Sequence, residues 1–326
     1  MPHRRTIIKA LGGGMLASSA PGCGWLSDKP VAIAAHVWVG YESIFLARNE
    51  GWLDTKKVSL LETTNATESL AALTEGRVDG AALTLDEMLK ARETGLPLTA
   101  VLVFDVSVGA DMLVARPDIK HLADLKGKRI GLEKSSVAAL LLSEILLAAG
   151  LVPKDVALIF VDVDKHRNAW RNQQADAFIT YEPVASQLLM DGAVKLFDSR
   201  RIADTIVDVL AIRRDRLDPA HADAVRHLVA AHFQALDHLT RNPQDAAYRM
   251  AGRLGLPAPK VLSAFKGLLL PDVAHNVRLL AGAQATLLAS ARKVSDIMVK
   301  SALLRQQDAL TDLIRADFLP NDPQAR

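Results

Sequence analysis

Apolar and polar positions along this chain repeat in two interleaved rhythms. From Val31 onward, short apolar runs that fit strands alternate with amphipathic stretches that fit helices. That order is the βαβα pattern of a mostly parallel sheet flanked by helices. VAIAAHV predicts a first strand, SIFLARNEG a helix closed by Gly51, and VSLLETT a second strand. TESLAALTEG predicts a helix capped by Asn65 or Thr67, GAALT a third strand, and LDEMLKARETG a helix with Asp86 and Glu87 at its positive end. LTAVLVFD and DMLVARP then read as consecutive strands separated by VSVGA.

A second series follows. HLADLKGKRIGL predicts a short helix, a turn and a strand, and SVAALLLSEILLAAG a long helix ended by Gly150. VALIFVDV, AFITY, VKLFDS and IVDVLAIRR predict strands; DKHRNAWRNQQ and EPVASQLLMDG predict the helices between the first three of them. From Pro219 the pattern is helical: HADAVRHLVAAHFQALDHLTRN, PQDAAYRMAGRLG, PAPKVLSAFKGLL and a closing helix from about Ala283. With no flexible linker between the two series, the economical arrangement is two α/β lobes, each with its own doubly wound sheet. Two strands would cross between them, around Val103–Val114 outward and Ile206–Ile212 on return. The expected division is 31–106 plus 207–326 for lobe one, with the C-terminal helices packed on it, and 107–206 for lobe two.

The length of 326 residues suits two domains, and an apolar half makes a large core easy to build. A net charge of +2 argues against a nucleic-acid partner, which would call for clustered Lys and Arg. No run approaches the roughly 18 to 20 apolar residues of a membrane span. Residues 1–23 have the shape of an export signal: Arg4 and Arg5, then an apolar stretch rich in Gly, Ala and Ser. RRTIIK is close to a twin-arginine pattern, and APGC places the lone cysteine, Cys23, where a lipoprotein would be processed and lipidated. The expected location is therefore periplasmic, free or held by a lipid anchor. One cysteine excludes an internal disulfide.

In open α/β sheets ligands bind at the carboxyl ends of the strands. Trp38, Gly40, Tyr41 and Glu42 follow the first strand, offering two aromatic faces, a turn residue and a charge beside a helix N-terminus. Thr64 and Asn65 follow the second and Thr84 the third; each can cap the next helix or reach a ligand. In the second series Glu133-Lys134-Ser135-Ser136 joins a strand to a helix, making Ser135 and Ser136 candidates for an anion-accepting corner. Tyr181 and Glu182 hold the topological place of Tyr41 and Glu42, so closure is expected to bring two aromatic faces and two carboxylates onto one ligand. Asp105, Asp111 and Asp208, near the crossings, either add to a negative lining or end their strands. An excess of carboxylates favours a ligand with a positive nitrogen. His36, on an apolar strand, reads as a core histidine. No HExxH, GxSxG or Cys/His site and no P-loop spacing is present, so no catalytic residue, metal or cofactor is expected.

WVGYESIFLARNEG, ESLAALTEGRVDGAALT, DLKGKRIGLEKSSVAALLLSEILLAAGL and ADAFITYEP carry a resemblance to the substrate-binding proteins of bacterial ABC importers. The group is the taurine/alkanesulfonate/nitrate and thiamine-precursor-like one, and the likeness extends over Val31–Leu270. It implies a type II periplasmic-binding-protein fold that closes on a small solute, delivers it to a membrane permease and works as a monomer. Sulfonate binders of the group usually have a turn richer in glycine and threonine where this chain has EKSS, which turns the expectation towards an amine-bearing or zwitterionic solute. Thiamine-pyrimidine synthases share the fold, so an enzyme is one alternative, and a sensory module for a membrane partner is another.

Overall fold

A computed structural model describes residues 29–321 of the chain. Its first half alternates as the pattern requires: β1 (Val31–Ala35), α1 (Glu42–Asn49), β2 (Val58–Glu62), α2 (Ala66–Thr74), β3 (Gly80–Thr84), α3 (Leu85–Glu93) and β4 (Leu98–Ser107). The chain then crosses to β5 (Asp111–Ala115), β6 (Arg129–Leu132), α4 (Ser136–Ala149), β7 (Ala157–Phe160), α5 (His166–Arg171), β8 (Ala177–Tyr181), α6 (Val184–Met190) and β9 (Val194–Asp198). It returns through β10 (Val207–Arg213) and finishes with α7 (Ala222–Arg241), α8 (Pro243–Leu254), α9 (Ala258–Phe265), β11 (Leu268–Leu269), α10 (Val273–Leu280) and α11 (Thr286–Lys300).

These elements form two sheets, with strand orders β11-β4-β10-β3-β1-β2 and β7-β6-β8-β5-β9. The strands joined by crossover helices run parallel, β1 with β2 and β3, β6 with β7 and β8. The crossing strands run antiparallel, β10 between β3 and β4, β5 between β8 and β9. Each sheet is covered on both faces, which explains strands as uniformly buried as LTAVLVFDVS. One face of the first sheet packs on α1, α7, α8 and α9, the other on α2, α3 and α11. The second sheet lies between α4 and the pair α5 and α6. The molecule is a two-lobed α/β fold with its C-terminal helices on the first sheet.

Local chemistry sets the helix starts that later matter. Asn65 Oδ1 accepts the Glu68 N–H at 2.9 Å, and Ser135 Oγ accepts the Ala138 N–H at 3.3 Å. Gly150, at φ 66°, ends α4 where the sequence places its stop. The two crossings are tied by hydroxyls: Ser107 and Ser199 lie 2.8 Å apart, and Ser199 Oγ accepts the Gly109 N–H at 2.7 Å. Helix α10 was not expected from the sequence. Asp272 caps it, accepting the His275 N–H at 2.7 Å, and its buried Asn276 holds both backbone groups of Val103. There the β4–β10 register slips by one residue, so that Asp105 faces Asp208 while Val103 faces Val209.

Candidate functional site

The strand ends of both sheets converge on one small cavity. His36, Trp38, Ala66, Thr84, Glu87 and Asp208 line it from the first sheet's side, and Asp111, Glu133, Ser135, Val137, Tyr181 and Ile206 from the second sheet or the return crossing. Its volume of about 20 Å³ leaves room for roughly one water, so the lobes stand closed. Aromatic rings meet across the gap: Tyr181 lies 5.6 Å from Trp38 and 5.9 Å from His36, both edge to face. At the far end Asn65 Nδ2 reaches Asp164 Oδ1, 3.4 Å away on the opposite lobe.

The lining is acidic. Glu87, Asp111, Glu133 and Asp208 bring four carboxyl groups to it, and no Lys or Arg is among the lining residues. Both oxygens of Glu133, Asp111 Oδ2, Asp208 Oδ2, Thr84 Oγ1 and His36 Nδ1 are buried without a hydrogen-bond partner among the described residues. Each is an acceptor, or can be one, and together they give the cavity room for N–H or O–H donors. Burial raises every one of these acids. Glu87 is pushed up to about 8, with the Asp86 charge adding to burial. Glu133 and Asp111 rise to about 7, helped by Asp162 and Asp164 in the first case and by Asp86 and Glu182 in the second. Asp208 is held well above the carboxylate range by burial and by Asp105, which faces it across the crossing strands. Burial, then the Arg253 charge, lowers His36 to about 3 and keeps its imidazole neutral.

Trp38, Thr84, Ser135 and Tyr181 line this cavity as the strand-end rule expects, and Ser136 lines a wider cavity beside it. The other expected contacts stand elsewhere. Tyr41 is fully buried beneath His36 and donates its hydroxyl to Asp208. It supports the site from behind. Glu42 turns the other way and pairs with Arg253 of α8, because the Val39–Tyr41 turn starts α1 with that side chain against the C-terminal helices. Gly40 offers no contact of its own. A Cβ there would lie 1.8 Å from Asp105 Oδ2, so its bareness admits the 3.0 Å bond from Trp38 Nε1 to Asp105. Thr64 is occupied with Glu68, and Asn65 with its cap and Asp164. Glu182 accepts from the Ser186 N–H and hydroxyl and lines a separate groove of about 420 Å³. Cys23 and the leader segment lie outside the described residues.

Sequence reasoning undervalued His36, Glu87 and Glu133. His36 immediately follows β1, and Glu87 stands one turn into α3, where its Oε2 accepts the Thr84 N–H at 3.0 Å. Position after a strand was the available signal; an apolar neighbourhood and the helix dipole supplied simpler explanations.

The description "NMT1/THI5 like" belongs to a family model that matches residues 40–246. A relative in Escherichia coli strain K12, named as a binding protein for aliphatic sulfonates, is 27% identical over 270 residues, covering 79% of this chain and 82% of its own. Among solved structures, the alkanesulfonate-binding protein SsuA of Xanthomonas axonopodis pv. citri, bound to MOPS, superposes with a TM-score of 0.74 at 22% identity, over 88% of this chain and 99% of that one. The periplasmic aliphatic sulphonate binding protein SsuA of Escherichia coli gives 0.70 at 23% identity, over 88% and 98%. At these identities the structural matches establish the periplasmic-binding-protein fold.

Proposed function

The chain belongs to the NMT1/THI5-like family, and from that premise we propose that it is an extracytoplasmic solute-binding receptor of an ABC importer. Its lobes, 31–106 with 207–326 and 107–206, close on a small cationic solute and present it to a membrane permease. Residues 1–23 direct export, and Cys23 provides the attachment point of a lipid anchor. Relatives named as binding proteins support the receptor role.

One observation carries the choice of solute. Four carboxyl groups, two on each side of the gap, surround a cavity that no Lys or Arg lines. A sulfonate there would meet four carboxyl groups and no basic side chain, whereas an ammonium or amidinium would satisfy several unpartnered oxygens at once as those acids give up their protons. The acids come from opposite lobes, and the described residues hold no group of three or more placed to grip a metal ion. An organic nitrogen cation fits that spread. Trp38 and Tyr181 supply ring faces to it, and neutral His36 an acceptor.

Closure follows from differential affinity. Asp208 and Glu87 hold the solute in the open state, and Asp111, Glu133 and Tyr181 reach it only when the lobes meet. Burial in the closed cavity then strengthens each charge pair. Native mass spectrometry and calorimetry with methylammonium, guanidinium and taurine test the reading. Binding of a cation with no measurable taurine binding is expected; tight taurine binding without any cation binding overturns it.

A further inference from the structure

Beside the acidic chamber lies a second, larger cavity of about 440 Å³, within the size range of small-molecule sites. The two share Ala66, Glu87, Glu133 and Ser135, so they adjoin at a boundary that carries two carboxyl groups. Away from that boundary the lining is apolar. Leu70 comes from α2 and Leu303 from beyond α11; Leu132, Leu142, Leu158 and Phe160 come from the opposite lobe. Phe160 is 60% exposed, a large apolar side chain left facing solvent at the end of an edge strand. Two basic residues also line the space. Lys90 is committed to Glu93 and the Leu303 carbonyl, at 2.7 and 2.6 Å, leaving Lys134.

We infer that the solute is an amphipathic cation, its positive nitrogen in the acidic chamber and an apolar tail lying in this vestibule. The inference rests on the cationic reading above and adds the second half of the molecule. The chamber is too small for more than a head group, so the rest of any larger solute has to leave it. The shared residues mark where it leaves, past Glu133 and Ser135 and between α2 and α4. A polar or charged tail would strip water from groups facing Leu142, Leu158 and Phe160 without compensation; an alkyl or aryl tail covers them. Lys134, between the shared residues Glu133 and Ser135, disfavours a second positive charge in the vestibule.

Calorimetric titration with methyl-, propyl- and hexylammonium chloride tests this directly. The dissociation constant should fall about three- to fourfold per methylene until the vestibule is filled. In Phe160→Ser, an exposed position at which folding is not at risk, the loss should grow with chain length, reaching about tenfold for hexylammonium. Glu133→Gln should weaken all three by the same factor. If methylammonium binds but affinity is flat with chain length, the tail assignment is overturned and the cationic receptor stands. A normal chain-length dependence that Phe160→Ser leaves untouched also overturns it. If none of the three amines binds, both readings fall.

Discussion

Tyr41-Glu42 and Tyr181-Glu182 are the same dipeptide at equivalent places in the two lobes, yet only Tyr181 reaches the cavity. In the second lobe, β8 continues through Tyr181, which pairs in register with Asp111, so the pleat turns Tyr181 inward and Glu182 away. In the first lobe, β1 stops at Ala35 and a turn intervenes, which sinks Tyr41 into the core and commits Glu42 to Arg253. The site's carboxylates come instead from residues no repeated motif marks, Glu87 and Asp208 facing Asp111 and Glu133. A shared dipeptide thus marks equivalent topology without marking equivalent roles, because the residues just before it set which way it points.

Breaking the structural member of this comparison should have the largest effect. Glu42→Gln leaves Arg253 with Glu62 as its remaining carboxylate, so urea unfolding at pH 8, where Glu42, raised by burial to about 7, is ionised, should lose about 3 kcal/mol while solute affinity stays unchanged. Loss of affinity with normal stability would return Glu42 to the site. Glu133→Gln should do the reverse. It removes one charge-assisted contact, about 1.5–3 kcal/mol or roughly 10- to 100-fold in the dissociation constant, with the fold intact.

The acids also predict a pH signature. Glu87 near 8, and Glu133 and Asp111 near 7, hold protons in the folded chain that the unfolded chain, with carboxyls near 4, has already released. These acids therefore hold more protons in the native state between about pH 4.5 and 8, and their contribution to stability falls as pH rises through that window; the buried His36, His166 and His232 oppose it only below about 6.5. The melting temperature of the unliganded protein should be several degrees lower at pH 8 than at pH 5. Affinity for a cation should move oppositely, rising as the protons leave, and a flat calorimetric profile would mean these acids do not contact the solute. Tyr41→Phe should give a smaller change: it removes the hydroxyl donated to Asp208, costing about 1 kcal/mol in stability and little affinity. Tyr181→Phe should give the smallest, altering neither by more than a few tenths of a kcal/mol.

Much of the fold was legible because period and punctuation agree locally. Val31–Ala35, Gly80–Thr84 and Ala177–Tyr181 lie inside the strands the apolar runs predict, and Gly150 closes α4 as expected. Helix α10 was missed because its reason is distant: Asn276 is buried to serve the backbone of Val103, more than 170 residues away in sequence. The site was half legible for the same reason. Trp38, Thr84, Ser135 and Tyr181 follow from standing at strand ends, whereas Asp105 and Asp208 become a facing pair only when β10 lies antiparallel to β4.

The amino-acid sequence by itself determined the alternation of strands and helices, the helix caps and the chemistry available at the strand ends, since these depend on neighbours within a few residues. Tertiary structure decided which carboxyl groups lose their water together and which, like Glu42, find an arginine. That outcome depends on burial and on partners brought from remote segments, and it gathers Glu87, Asp111, Glu133 and Asp208 around one cavity.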